Sequence, residues 1–136
     1  MTHKISFKES NILSQLSSDY QEKPELLAQF ISETPALENF EKQLKKKQPI
    51  NRELLHKVLK EQNTSCHINS LKNIELIKEE TTFTVTTGHQ IGLFTGPLYS
   101  IYKIISTLNL ATELKKKHNQ YNFVPIFWMA TEDHDF

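Results

Sequence analysis

Residues 82–105 read TFTVTTGHQIGLFTGPLYSIYKII, and residues 123–130 read FVPIFWMA. The first stretch opens in strand language, because residues 82–87 alternate and are rich in β-branched side chains. A glycine segment over residues 88–96 follows. Pro97 then opens a helix expected to run to about Lys117, proline being suited to a first turn whose N–H would be unpaired anyway. The second stretch is nearly continuous apolar sequence, the pattern of a strand buried on both faces in a parallel sheet. Strand, glycine loop, helix and strand make a βαβ unit, which places the chain in the α/β class. Pro125 pulls against this reading, since it removes a ladder donor and sits more easily at a sheet edge.

Outward from that unit the composition changes. Residues 1–80 carry 24 of the 32 charges and four of the 13 aromatics, whereas residues 81–136 carry eight charges and nine aromatics. The expected organisation is therefore a helical lead-in over residues 1–80, packing on a core that starts at residue 81. Within the lead-in, helices are expected over residues 11–20, 24–31 and 36–47. Asn51 is expected to cap a fourth helix bearing Leu54, Leu55, Val58 and Leu59, and Ile68, Leu71, Ile74 and Ile77 mark a fifth.

The chain has 136 residues, enough for one ordinary domain. Sixteen basic residues balance sixteen acidic ones, so no overall field draws it to nucleic acid or to an anionic membrane. No apolar run approaches the ~20 residues of a membrane span, and the first ten residues lack a signal-peptide core, so a cytoplasmic setting is expected. Cys66 is the single cysteine, which excludes an intramolecular disulfide. Cys66, His56, His67 and His118 fall in helical or linker sequence and are expected to be structural or exposed.

Three places can carry chemistry. All three glycines, Gly88, Gly92 and Gly96, lie within nine residues, where an average chain of this length would spread about nine. The spacing matches neither a Walker A loop nor the dinucleotide fingerprint. What remains is the general device, a glycine loop before a helix N-terminus that lets backbone approach an anion, with His89 able to donate or shuttle a proton there. On the helix, Tyr99, Tyr102, Lys103 and Ser106 share one side, and Leu98, Ile101, Ile104, Ile105, Leu108 and Ala111 the other. Lys103 is the only charged residue between Glu80 and Glu113, and it lies roughly 9 Å along the axis from Pro97 at ~1.5 Å per residue. Finally, Glu132, Asp133, His134 and Asp135 follow the apolar strand, at the carboxyl end where open α/β sheets bind ligands.

The pairing of GHQIGLFTGPLYSIYKIIST, from Gly88, with FVPIFWMATEDHDF, from Phe123, closely resembles the N-terminal part of the bacillithiol-synthesis cysteine-adding enzymes. That family joins cysteine to glucosaminyl-malate. The resemblance implies a helical N-terminal segment leading into a partial Rossmann-like core, in a chain that is the beginning of a longer enzyme with a coiled coil. It also implies candidate pocket residues: Gly88, His89, Gln90, Thr95, Gly96, Tyr99 and Lys103, with Glu132, Asp133, His134 and Asp135 as the acidic side. Such a core is similar to class I aminoacyl-tRNA synthetases and nucleotidyltransferases, whose turn carries Gly-x-x-His-x-Gly-His. Here Tyr99 and Tyr102 stand where those histidines would be.

The expected function is thus that of a carbon–nitrogen ligase segment, inactive alone, with small-molecule substrates and a full-length form able to form homo-oligomers. Lys103, Asp133, His134 and Asp135 are its expected catalytic groups. A nucleotide such as ATP is compatible with the reaction; its identity and any metal requirement are left open. Two other classes are carried beside it: a non-catalytic nucleotide- or anion-binding assembly module, and a metal-dependent hydrolase using the acidic end.

Overall fold

The computed structural model describes residues 3–34, 36–46, 49–90, 92, 94 and 96–131. By its contacts the chain divides into two compact units, Met1–Lys46 and Lys47–Phe136.

In the first unit, helices are short and held by caps. Ser6 and Glu9 form a reciprocal capping box at the start of α1 (Phe7–Ser10), and Ser14 caps α2 (Gln15–Glu22). The helix expected over residues 11–20 starts only at Gln15, because Asn11 ends α1 in a left-handed conformation (φ 53°), which asparagine tolerates better than most residues, and Ser14 supplies the next cap. Residues 24–31 yield only a 3₁₀ turn, Pro24–Leu27, and the third expected helix shrinks to a 3₁₀ turn, Leu37–Asn39, and α3 (Phe40–Leu44). From α2 to α3 these elements bury no residue completely, so short helices receive little help from packing.

The second unit holds the core. Asn51 caps α4 (Arg52–Gln62) by accepting the Leu54 N–H at 3.0 Å, and His67 Nδ1 accepts the Asn69 N–H to start α5 (Ile68–Leu76). Arg52 reaches from α4 to donate to the carbonyls of Ile77 (2.9 Å) and Thr82 (3.1 Å), tying the helix to the point where the sheet begins. Strand β1 (Thr82–Gln90) pairs in parallel with β2 (Asn122–Ala130), from Thr82 opposite Asn122 to Gln90 opposite Ala130. Between them α6 (Leu98–Lys117) packs on both strands, completing the expected βαβ unit. Lys115 closes its C-terminal end by donating to the carbonyls of Asn119 and Tyr121, each at 2.9 Å. Ile74, Ile77, Ala111, Leu114 and Val124 form the buried apolar core.

Two features differ from the pattern of the sequence. Strand β1 continues through Gly88, His89 and Gln90, which therefore lie in the sheet and not in the loop, because β2 pairs with them to its last residue. And β2 is not buried on both faces: Phe127, Trp128 and Met129 are exposed, since α6 and α5 cover only part of the two-stranded sheet. Pro125 sits mid-strand opposite Val85, and a two-stranded sheet leaves each strand one unpaired edge where a missing donor costs little. Among the described residues, no helix is long and apolar enough to cross a membrane.

A charge cluster joins α4 and α5. Lys78 (2.8 Å), His56 (3.1 Å) and Lys60 (3.2 Å) surround the Glu75 carboxylate. Lys78 first, then His56 and Lys60, hold the Glu75 carboxyl down at about 2, below its ordinary 4.5. A carboxyl depressed on folding stabilises the fold above its unfolded value, and that contribution is lost as the pH falls toward the folded one. Urea midpoints should therefore drop between about pH 4.5 and 2, and Glu75→Gln should flatten this limb. An unchanged pH slope in the variant would show that the cluster contributes nothing to stability.

Candidate functional site

The end of β1 and the first two turns of α6 bring together four of the residues singled out from the sequence. Lys103 and Tyr99, one helical turn apart, point back toward β1, as side chains on a helix lean to its N-terminus. The Lys103 ammonium donates to the Gly88 carbonyl at 3.3 Å and lies 5.2 Å from the centre of the Tyr99 ring, within cation–π range. The His89 imidazole packs on the same tyrosine, with ring centres 4.8 Å apart and planes tilted by 31°. Its Nδ1 accepts the Gln90 N–H at 2.8 Å, while its Nε2 is buried without a hydrogen-bond partner among the described residues.

Each glycine has a separate reason. At Gly88 a Cβ would lie 2.9 Å from the Trp128 carbonyl oxygen and 3.0 Å from the Trp128 Cβ, so this glycine admits the neighbouring strand and not a ligand. At Gly92 a Cβ would stand 2.7 Å from the Gly96 Cα, which makes that loop a close backbone crossing. Gly96 has room around it but adopts φ +71°, a conformation that glycine alone takes without strain.

Beside this cluster, β1 and α6 border an open groove of about 400 Å³ lined by Val85, Thr87, Tyr99, Tyr102, Lys103 and Ser106, the polar side of the helix read from the sequence. Ser100 was not singled out by that reading. It is only 5% exposed, and its hydroxyl finds no partner among the described residues although it stands 3.8 Å from where a Gly96 side chain would begin. A serine in the first turn of a helix behind a glycine loop was the available signal. Gln90 ends β1 next to His89. Thr95, Glu132, Asp133, His134 and Asp135 lie outside the described residues. Among the described residues, no group of three or more histidine, cysteine, aspartate or glutamate side chains is placed to hold a metal ion. His56 and His118 are buried and Cys66 is a free thiol of intermediate exposure, in keeping with structural places for all three.

The arrangement offers the Lys103 cation, an imidazole with a buried Nε2 and a helix start, all suited to an oxygen-rich, negatively charged group. Comparison with known proteins agrees with the fold and extends it. The family model described as "Bacillithiol biosynthesis BshC, N-terminal Rossmann-like domain" matches residues 1–136. A protein of Flavobacterium psychrophilum named "Putative cysteine ligase BshC" is 49% identical over 97% of this chain and 26% of its own length. Proteins of the same name from Flavobacterium johnsoniae (50% identical) and Cytophaga hutchinsonii (43%) are likewise covered to 26% of their length by 97% of this chain. The chain thus spans about a quarter of these relatives, and it belongs to the BshC family of bacillithiol biosynthesis, of which it is the N-terminal Rossmann-like domain.

Proposed function

We propose that the full-length protein joins the carboxyl group of cysteine to the amine of glucosaminyl-malate in the cytoplasm, and that the β1–α6 site handles the anionic part of that reaction. The observation that carries this reading is the Lys103 ammonium, which lines the groove and lies between the Gly88 carbonyl and the Tyr99 ring. A carboxylate is a poor electrophile, so a nucleotide such as ATP would convert it into a mixed anhydride, an acyl phosphate with release of ADP or an acyl adenylate with release of pyrophosphate, whose phosphate is a good leaving group. The sugar amine then attacks the carbonyl carbon, the leaving group departs with the bonding pair, and the amine gives up its proton. Lys103 offsets the charge that develops on oxygen, with Gln90, Gly96 and Tyr99 beside it, and Thr95 is assigned to substrate binding by the resemblance. One carboxylate among Glu132, Asp133 and Asp135, with His134 beside them, holds an ammonium or receives the amine's proton.

Lys103→Met in the full-length protein should reduce formation of the joined product, followed by mass spectrometry, by about 100-fold, the usual scale for removing one charge-stabilising donor. Normal turnover in that variant with a native fold would overturn the assignment of the site.

A further inference from the structure

We infer that His89 acts as a fixed hydrogen-bond donor to an oxygen of the bound substrate, through Nε2–H, and that Tyr99 is the positioning residue that holds it there. This rests on the ligase reading of the site and deepens it. A neutral imidazole carries one proton, so the nitrogen that accepts a hydrogen bond leaves the other as the donor. Nδ1 accepts the Gln90 backbone N–H at 2.8 Å, which assigns the proton to Nε2. That Nε2 is buried and has no hydrogen-bond partner among the described residues. A buried donor left unpaired is unfavourable, so the arrangement gains when a ligand brings an acceptor. Proton abstraction requires the opposite tautomer, with a bare nitrogen toward the substrate. The Tyr99 ring, 4.8 Å from the imidazole and 5.2 Å from the Lys103 ammonium, restrains both donors at once. The ligand class is therefore an oxygen anion, carboxylate or phosphate, able to take a neutral and a charged hydrogen bond together.

The test uses the full-length protein labelled with ¹⁵N-histidine, in alkaline buffer, with the His89 resonance assigned by its loss in His89→Gln. Long-range ¹H–¹⁵N spectra should show the proton on Nε2, and adding glucosaminyl-malate should shift that resonance. Tyr99→Phe, which keeps the ring, should preserve the signature, whereas Tyr99→Leu should give a mixture of tautomers. In turnover, His89→Gln retains an N–H donor but cannot act as a base, and it should keep the KM for glucosaminyl-malate within about threefold. His89→Leu should raise that KM about tenfold, the size of one hydrogen bond. A proton on Nδ1 overturns the inference, as does a folded His89→Gln protein as impaired as His89→Leu. If the wild-type protein joins no cysteine at all, the ligase reading falls, and the tautomer and its response to glucosaminyl-malate still decide the role of His89.

Discussion

Gly88→Val should lower the thermal midpoint of this chain by about 8–16 °C, the equivalent of roughly 2 kcal/mol of overpacking in a unit of this size. Propensity alone argues for the opposite sign, since valine is among the best strand formers and glycine among the poorest. Contact decides. The first atom of any side chain at residue 88 meets the Trp128 carbonyl oxygen at 2.9 Å and the Trp128 Cβ at 3.0 Å. Neither is the yielding end of a long side chain, so β1 and β2 must separate where Gly88 pairs with Trp128. The Gly88 carbonyl that accepts the Lys103 ammonium would move with them, coupling the packing fault to the candidate site. Far-ultraviolet circular dichroism melts of parent and variant at micromolar concentration give the measurement. A midpoint equal to or above the parent's would mean that the strands accommodate a side chain there and that the glycine answers some other need.

What the sequence made legible, and what it did not, follows from how far each signal reaches. The start of β1, the start of α6 at Pro97 and the Asn51 cap of α4 are local events, written in β-branched alternation, proline geometry and a side-chain acceptor. The end of β1 is not local. Gly88, His89 and Gln90 have no strand propensity of note, and they extend only because β2 offers them partners. The same limit applies to α6. Its periodicity separates two sides, and the Tyr99–Lys103 side does reach β1, but the residues the helix buries are Ser100, Thr107, Ala111 and Leu114, three of them small. Small side chains let a helix approach a sheet closely, and that preference is invisible to a count of hydrophobic residues. In the first unit, apolar spacing suggested three helices that shrank, since no burial accompanies it to fix them. Of the site residues, Gly88, His89, Tyr99 and Lys103 converge, while Ser100 needed the structure to reveal its burial.

The row left outside on α6 sets up the other large effect. Leu98, Ile101, Ile104, Ile105 and Leu108 are all exposed on one helix, and β2 adds Trp128 at 59% and Met129 at 61% exposure. Apolar surface on this scale is uncommon on a soluble monomer and usually marks a contact face. Burying one such side chain is worth about 1.5–3 kcal/mol, so several together exceed the cost of holding two chains in one place at moderate concentration. The isolated chain should therefore sediment as dimers or larger species at tens of micromolar, far above the 15.9 kDa of a single copy. Ile104→Lys with Leu108→Lys places two charges in the middle of the row without touching the buried Ser100, Thr107, Ala111 and Leu114 side. That double variant should return the mass to that of one copy while leaving the helical signal intact, because lysine is a good helix former and both sites already face solvent. The relatives are about four times as long as this chain, and the same double substitution in a full-length protein distinguishes two uses of the row. If the row is covered by the rest of the polypeptide, the lysines should cost folding stability there; if it is a contact between copies, they should alter only the oligomeric state. A parent chain that stays monomeric up to hundreds of micromolar would show that water is an adequate neighbour for this face.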